Sequence, residues 1–121
     1  MKTQLLGAMG EAAAADWLRK KRWKILAMNY RCRLGEVDII ARDGEEYVFV
    51  EVKLRRAGGY APAAEYVTPS KQRKLRLAAE CWLAENGLED PPCRFDVAEV
   101  YADENGGARI EYLENAFEVS E

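Results

Sequence analysis

Apolar positions in the first part of the chain recur at helical spacing and then change to strand spacing. Over residues 5–21, Leu6, Met9, Ala13 and Trp17 share one side of a helix in an alanine-rich run, which predicts an amphipathic helix. Glu11 falls beside Leu18, at the margin of that apolar face. Residues 23–31 predict a first strand. Between Gly35 and Leu54 two β-rich runs flank Asp43-Gly44, a hairpin signal. In the second run Val48, Val50, Val52 and Leu54 alternate with Tyr47, Phe49, Glu51 and Lys53, so each set occupies one face. Residues 55–67 contain Gly58-Gly59 and Pro62 and predict a mobile loop. Thr68 is placed to cap a second helix with Pro69 in its first position. That helix should run to about Glu85 and stop at Asn86-Gly87, with Lys71, Leu75, Ala78 and Trp82 along one face. Strands are predicted over 93–101 and 108–113, joined through Asn105-Gly106-Gly107. The predicted order is αβββαββ, an α/β chain.

A length of 121 residues suits one compact domain, 1–121. No uninterrupted apolar run approaches the roughly 18 residues of a membrane span. Glu11 and Asp16 interrupt the alanine-rich start, which argues against a secretory leader. The expectation is a cytoplasmic protein that makes no membrane contact.

The chain has no histidine, which removes imidazole bases, Ser–His and Cys–His catalysis and histidine zinc sites. Cys32, Cys81 and Cys93 form no C-x-x-C pair and are odd in number, so buried free thiols are expected. Chemistry is left to carboxylates, lysines, arginines and hydroxyls. The formal net charge is −3, yet 16 of the 18 Lys and Arg lie within residues 1–76. That polarity permits a basic face for phosphates on an acidic protein.

Two charges, Glu51 and Lys53, share one face of a valine-rich strand, where an uncompensated charge is costly. Asp38 sits on the preceding strand. A turn at Asp43-Gly44 makes Asp38 and Glu51 diagonal neighbours, and a turn at Gly44-Glu45 sets them directly opposite. In either register the two carboxylates repel unless a positive group intervenes. An oxygen-preferring divalent cation, Mg²⁺ or Mn²⁺, answers this, and Lys53 answers it in part. Glu11 would reach such a cation directly or through water. With a phosphodiester bound, the cation would polarise the phosphate and lower the pKa of its water, while Lys53 orients or deprotonates that water or stabilises charge on phosphorus. The ordinary alternative for these charges is an internal ion pair or a solvated strand face. Lys71, Gln72, Arg73, Lys74 and Arg76 give the second helix a basic first half, and Arg55 and Arg56 precede it, which suits phosphate contacts at Arg55, Arg56, Lys71 and Lys74. Tyr60 and Tyr66 could stack on bases. Arg94 and Asp96 share a strand face and read as a structural pair.

Gly10-Glu11 with Ala14 and Leu18, Asn29-Tyr30-Arg31, Gly35-Glu36-Val37-Asp38-Ile39-Ile40, Phe49-Val50-Glu51-Val52-Lys53 with Arg55, Lys71-Gln72 and Arg94-Phe95-Asp96-Val97 together resemble the YraN-like family of small bacterial proteins. That family is similar in pattern to restriction-endonuclease-like nucleases of the PD-(D/E)xK type, notably archaeal Holliday-junction resolvases. The resemblance implies a restriction-endonuclease-like α/β/α core around a central mixed β-sheet. It implies that Asp38, Glu51 and Lys53 are the catalytic core, that Glu11 is the helical acid and that Gln72 is the polar position of the second helix. Asp38, Glu51 and the Val52 carbonyl would hold Mg²⁺ or Mn²⁺. Glu36-Val37 stands before Asp38, so the literal P-D dipeptide is absent. The function implied is metal-dependent phosphodiester hydrolysis on DNA, branched or single-stranded, by a homodimer like the resolvases. The alternative is a module that keeps the fold and binds nucleic acid or protein without turnover.

Overall fold

The computed structural model describes residues 2–55, 67–103, 105 and 107–117, with side chains from residue 7 onward. Helix α1 (Lys2–Lys20) leads into strands β1 (Lys24–Cys32), β2 (Gly35–Asp43) and β3 (Glu46–Arg55); helix α2 (Pro69–Glu85) then precedes β4 (Cys93–Ala102) and β5 (Ala108–Leu113). The αβββαββ order agrees with the hydrophobic pattern. The predicted loop, with Arg56, Tyr60 and Tyr66, lies almost wholly outside the described residues. None of the described helices is long and apolar enough to cross a membrane.

The five strands form one sheet in the order β1-β2-β3-β4-β5. All neighbours are antiparallel except β3 and β4, which run parallel, so the sheet is mixed. A parallel step needs a long crossover, and α2 lies within it. Alternation along β3 sends Val48 and Val50 to the α1 side, with Ala14, Ala15 and Leu18, and Phe49 to the α2 side, with Leu75, Ala78 and Trp82. Both faces of the sheet centre are therefore covered, and Val48, Phe49 and Val50 are wholly buried. The layers are helix, sheet, helix.

Local signals act where expected. The Thr68 hydroxyl accepts from the Lys71 amide at 3.2 Å and Pro69 opens α2. The hairpin pairs Asp43 with Glu46, so the turn is Gly44-Glu45, and Gly44 takes a positive φ of 63° that suits glycine at the first central position. Two expectations need correction. Met9 is 54% exposed, because α1 is rotated by about one residue from the predicted face. The buried stripe passes through Ala14 and Leu18, and Trp17 packs at its edge. The three cysteines are free but only part-buried, because Cys32 and Cys93 stand at strand ends and Cys81 on the flank of α2.

One buried ionic cluster ties the sheet together. The Arg94 guanidinium reaches Asp96 at 3.1 Å, Asp43 at 3.0 Å and Glu46 at 2.9 Å, and lies 4.8 Å from the Trp23 ring centroid. Asp96, fully buried, also accepts from the Tyr112 hydroxyl at 2.6 Å and the Asn115 amide at 2.8 Å. Arg94 and Asp96 thus pair structurally, and through Asp43 and Glu46 they hold both ends of the β2–β3 turn. Removing one member of a buried pair strands the other, so Arg94→Ala should cost about 3–5 kcal/mol in urea unfolding. A loss below about 1 kcal/mol would show that the cluster does not hold the turn.

Candidate active site

The site begins where β2 leaves β3. Their ladder runs from Asp43–Glu46 to Ile39–Val50 and stops there. Ile39 packs in the α1 core and Val37 in the α2 core, although regular alternation would put both on one side. The strand therefore turns about its axis at Asp38. In the fork that opens, the Val52 amide donates to Asp38 Oδ2 at 2.8 Å instead of to a strand carbonyl. A strand residue in an antiparallel ladder exchanges both its N–H and its C=O with one partner, so the Val52 carbonyl opens toward the same fork. The Gly44-Glu45 turn selects the register that points Asp38 toward Glu51; the ladder ends one pair short of them, and the two carboxylates line the same cavity.

Glu51 and Lys53 follow on the α2 face, with Lys53 Nζ 3.6 Å from Glu51 Oε2. Burial, then the Glu51 charge, pushes the Asp38 carboxyl up to about 7, against the pull of the Val52 amide; Glu11 adds to the rise. Burial also raises Glu51, opposed by Lys53 and Lys71. Lys53 is lowered, first by burial and then by its neighbour Lys71, although Glu51 pulls the other way. Every member of the trio thus sits where its charged form is disfavoured. More positive charge beside the carboxylates would relieve two of the three.

These groups lie in an open cleft of about 680 Å³. Asp38, Glu51, Val52 and Lys53 line it, Glu11 enters from α1, and Lys71 and Lys74 border it from α2. Seven of the predicted site residues therefore share one cavity. Two do not line it. Gln72 Nε2 donates to the Val67 carbonyl at 3.0 Å, fastening the start of α2, and Arg55 engages Glu99 at 3.2 Å. Arg56 lies outside the described residues. The cleft also has a wall absent from the sequence prediction, the β1–β2 hairpin tip with Arg31, Arg33, Leu34 and Glu36. The signal was present as a basic run, Arg31-Cys32-Arg33, closing on Gly35 between two strand-like segments.

Among the described residues no three His, Cys, Asp or Glu side chains gather closely enough to hold a metal ion. Glu11 thus shares the cleft without making a third carboxylate of a tight cluster. The donor set that fits a hard cation is Asp38, Glu51 and the Val52 carbonyl, all oxygen. Mg²⁺ suits few protein ligands because it keeps several of its waters.

Residues 10–100 match the model of the uncharacterised protein family UPF0102. A UPF0102 protein of Geobacter sulfurreducens is 47% identical over 117 residues, covering 97% of this chain and 91% of its own length. Relatives of the same name from Symbiobacterium thermophilum and Pelotomaculum thermopropionicum are each 48% identical, over 93% and 94% of this chain and 95% and 96% of their own lengths.

Two predictions follow from the geometry. A Cβ on Gly35 would stand 2.5 Å from the Lys74 carbonyl oxygen, so the hairpin tip touches α2 backbone where no side chain fits. Gly35→Ala should lose about 1–3 kcal/mol in urea unfolding, and an unchanged midpoint would mean the two segments part freely. The second concerns pH in metal-free buffer. Because the folded Asp38 carboxyl keeps its proton to about 7 while the unfolded one releases it near 3.8, wild-type stability falls as pH rises through that window. Asp38→Asn, which never ionises, should therefore gain on wild type between pH 5 and 8, reaching about 1–3 kcal/mol. A difference that stays flat over that range would contradict the shift.

Proposed function

The chain belongs to the UPF0102 family, and from that premise and the chemistry of the cleft we propose that it is a metal-dependent nuclease hydrolysing phosphodiester bonds in DNA. The observation that carries the reading is the part-buried Asp38–Glu51 pair beside Lys53, in a cleft bordered by Lys71 and Lys74. A fully internal ion pair would be closed to solvent; the Glu51–Lys53 pair lines an open cleft bordered by Lys71 and Lys74.

Asp38, Glu51 and the Val52 carbonyl are the residues that would hold Mg²⁺ or Mn²⁺. Such a cation, when bound, supplies charge that polarises a phosphodiester and makes water more acidic. The remaining work falls to the chain itself. Lys71 and Lys74, on the first turns of α2, hold phosphate oxygens and set the backbone in register. Lys53, with its pKa lowered and Glu51 3.6 Å away, orients the attacking water, takes its proton, or donates to the phosphoryl oxygen as charge builds. Glu11, across the cleft on α1, holds water in the same shell, and Gln72 supports the site from behind by fixing Val67. Arg55, at the end of β3 and paired with Glu99, and Arg56, which lies outside the described residues, are the further cations proposed for phosphate contact. Branched or single-stranded DNA is the proposed substrate class, cut by a pair of subunits as the resolvase resemblance implies.

The purified protein should cleave a labelled flap or junction DNA when Mn²⁺ is added, with Lys53→Ala slower by about a hundredfold or more. Mn²⁺ should also raise the melting temperature of wild type but not of Asp38→Asn. Equal cleavage by wild type and Lys53→Ala would locate the activity in a contaminant. DNA binding that weakens steeply with salt, needs no metal and yields no product would assign a binding module instead.

A further inference from the structure

The hairpin tip between β1 and β2 projects beside the cleft with an unusual composition. Arg31 and Arg33 are exposed, and Leu34 between Arg33 and Gly35 is 47% exposed although it is large and apolar. Arg31 makes only a loose surface pair with Glu36 at 3.7 Å. The tip does not stand free, since Gly35 rests against the Lys74 carbonyl with no room for a side chain. An apolar residue next to Arg33 is thus held close to Lys74, with Arg31, Arg33, Leu34, Gly35 and Lys74 all lining one cavity.

The size of that cavity matters. A volume of about 680 Å³ is of small-molecule scale and has room for a short piece of one nucleic-acid strand beside Asp38 and Glu51. Leu34 lines the same cavity as Asp38 and Glu51, so a strand led toward the two carboxylates passes this exposed apolar side chain. Apolar side chains inserted at base steps unstack them, and cations beside them hold the phosphates on either side. No aromatic side chain lines the cleft among the described residues, so stacking inside it does not supply the preference.

We infer that Arg33 and Leu34 form a wedge that selects DNA at a junction between duplex and single strand, Leu34 packing on the last base pair and Arg33 holding the phosphate of the strand led into the cleft. The inference rests on the nuclease reading of the same cleft and adds which DNA shape is chosen and by which residues.

The test is fluorescence anisotropy in EDTA with three labelled DNAs: a forked duplex with single-stranded arms, the same duplex blunt-ended, and one strand alone. A 2-aminopurine at the last base pair of an otherwise identical fork reports unstacking. Wild type should prefer the fork over the blunt duplex by roughly tenfold and brighten the 2-aminopurine. Leu34→Ala and Leu34→Gln, exposed changes that leave the packing intact, should each cut the preference to about twofold or less and abolish the brightening while retaining blunt-duplex affinity. Arg33→Ala should weaken all three DNAs and flatten the salt slope by about one. If wild type binds DNA in EDTA and cleaves it once Mn²⁺ is added, but treats fork and blunt duplex alike, or if both Leu34 variants keep the preference, the wedge is wrong and the nuclease reading stands. If wild type binds none of the three DNAs in EDTA, the wedge is wrong; if it also fails to bind or cleave them with Mn²⁺ added, the nuclease reading falls with it.

Discussion

Two carboxylates held against each other in a part-buried fork are the constraint on which the rest of this structure turns. Asp38 and Glu51 share the cleft where β2 and β3 separate, and burial together with the Glu51 charge pushes the Asp38 carboxyl up to about 7. A fold selected for stability alone has an easier answer at this position, namely two apolar residues continuing the ladder. The chain instead spends its Val52 amide on Asp38 and keeps Lys53 at the edge of Glu51. Neither contact cancels the repulsion, and both groups border open solvent. The arrangement makes physical sense when a positively charged ligand completes it.

Much of the surrounding architecture serves to hold that fork open in one register. A one-residue slip of β3 would send Glu51 and Lys53 to the α1 face and empty the cleft of its chemistry. Three features oppose such a slip. Gly44 adopts the positive φ of the turn, Arg94 clamps Asp43 and Glu46 on either side of it, and Phe49 fits between Trp82 and Phe95 on the α2 face. Helix α2 is placed by the same packing, and its capped start brings Lys71 and Lys74 to the cleft. The buried Arg94 cluster is remote from the chemistry, yet it sets the pairing on which the chemistry depends.

The helices, the strands and the Asp38–Glu51–Lys53 trio were legible in the sequence because each rests on local rules. Thr68-Pro69 announces a helix start, Asp43-Gly44 a hairpin, and alternation through YVFVEVKL assigns faces. Between the two hairpin registers the sequence could not choose, because Asp43-Gly44 and Gly44-Glu45 are both workable turns; the Arg94 contacts that settle it come from 51 and 48 residues further along the chain. The rotation of α1 escaped for a similar reason. Alanines at 13, 14 and 15 make the wheel nearly uniform on that side, so the sheet, not the periodicity, decides that Leu18 is central and Met9 exposed. Gln72 entered the site through the family resemblance and Arg55 through its basic neighbours in sequence; in the fold Gln72 donates to the Val67 carbonyl and Arg55 pairs with Glu99, contacts that only the tertiary structure shows. The basic hairpin tip was hidden because its meaning depends on lying against Lys74, a long-range contact that no spacing rule reveals.

The central claim is that the Asp38–Glu51 fork is a seat for a divalent cation, and the direct test is anomalous scattering from crystals soaked in Mn²⁺. The account predicts a manganese peak between the two carboxylates and within bonding reach of the Val52 carbonyl, lost in Asp38→Asn crystals treated the same way. Crystals that show Asp38 and Glu51 sharing a proton, with no anomalous peak at millimolar Mn²⁺ above pH 7, would contradict it.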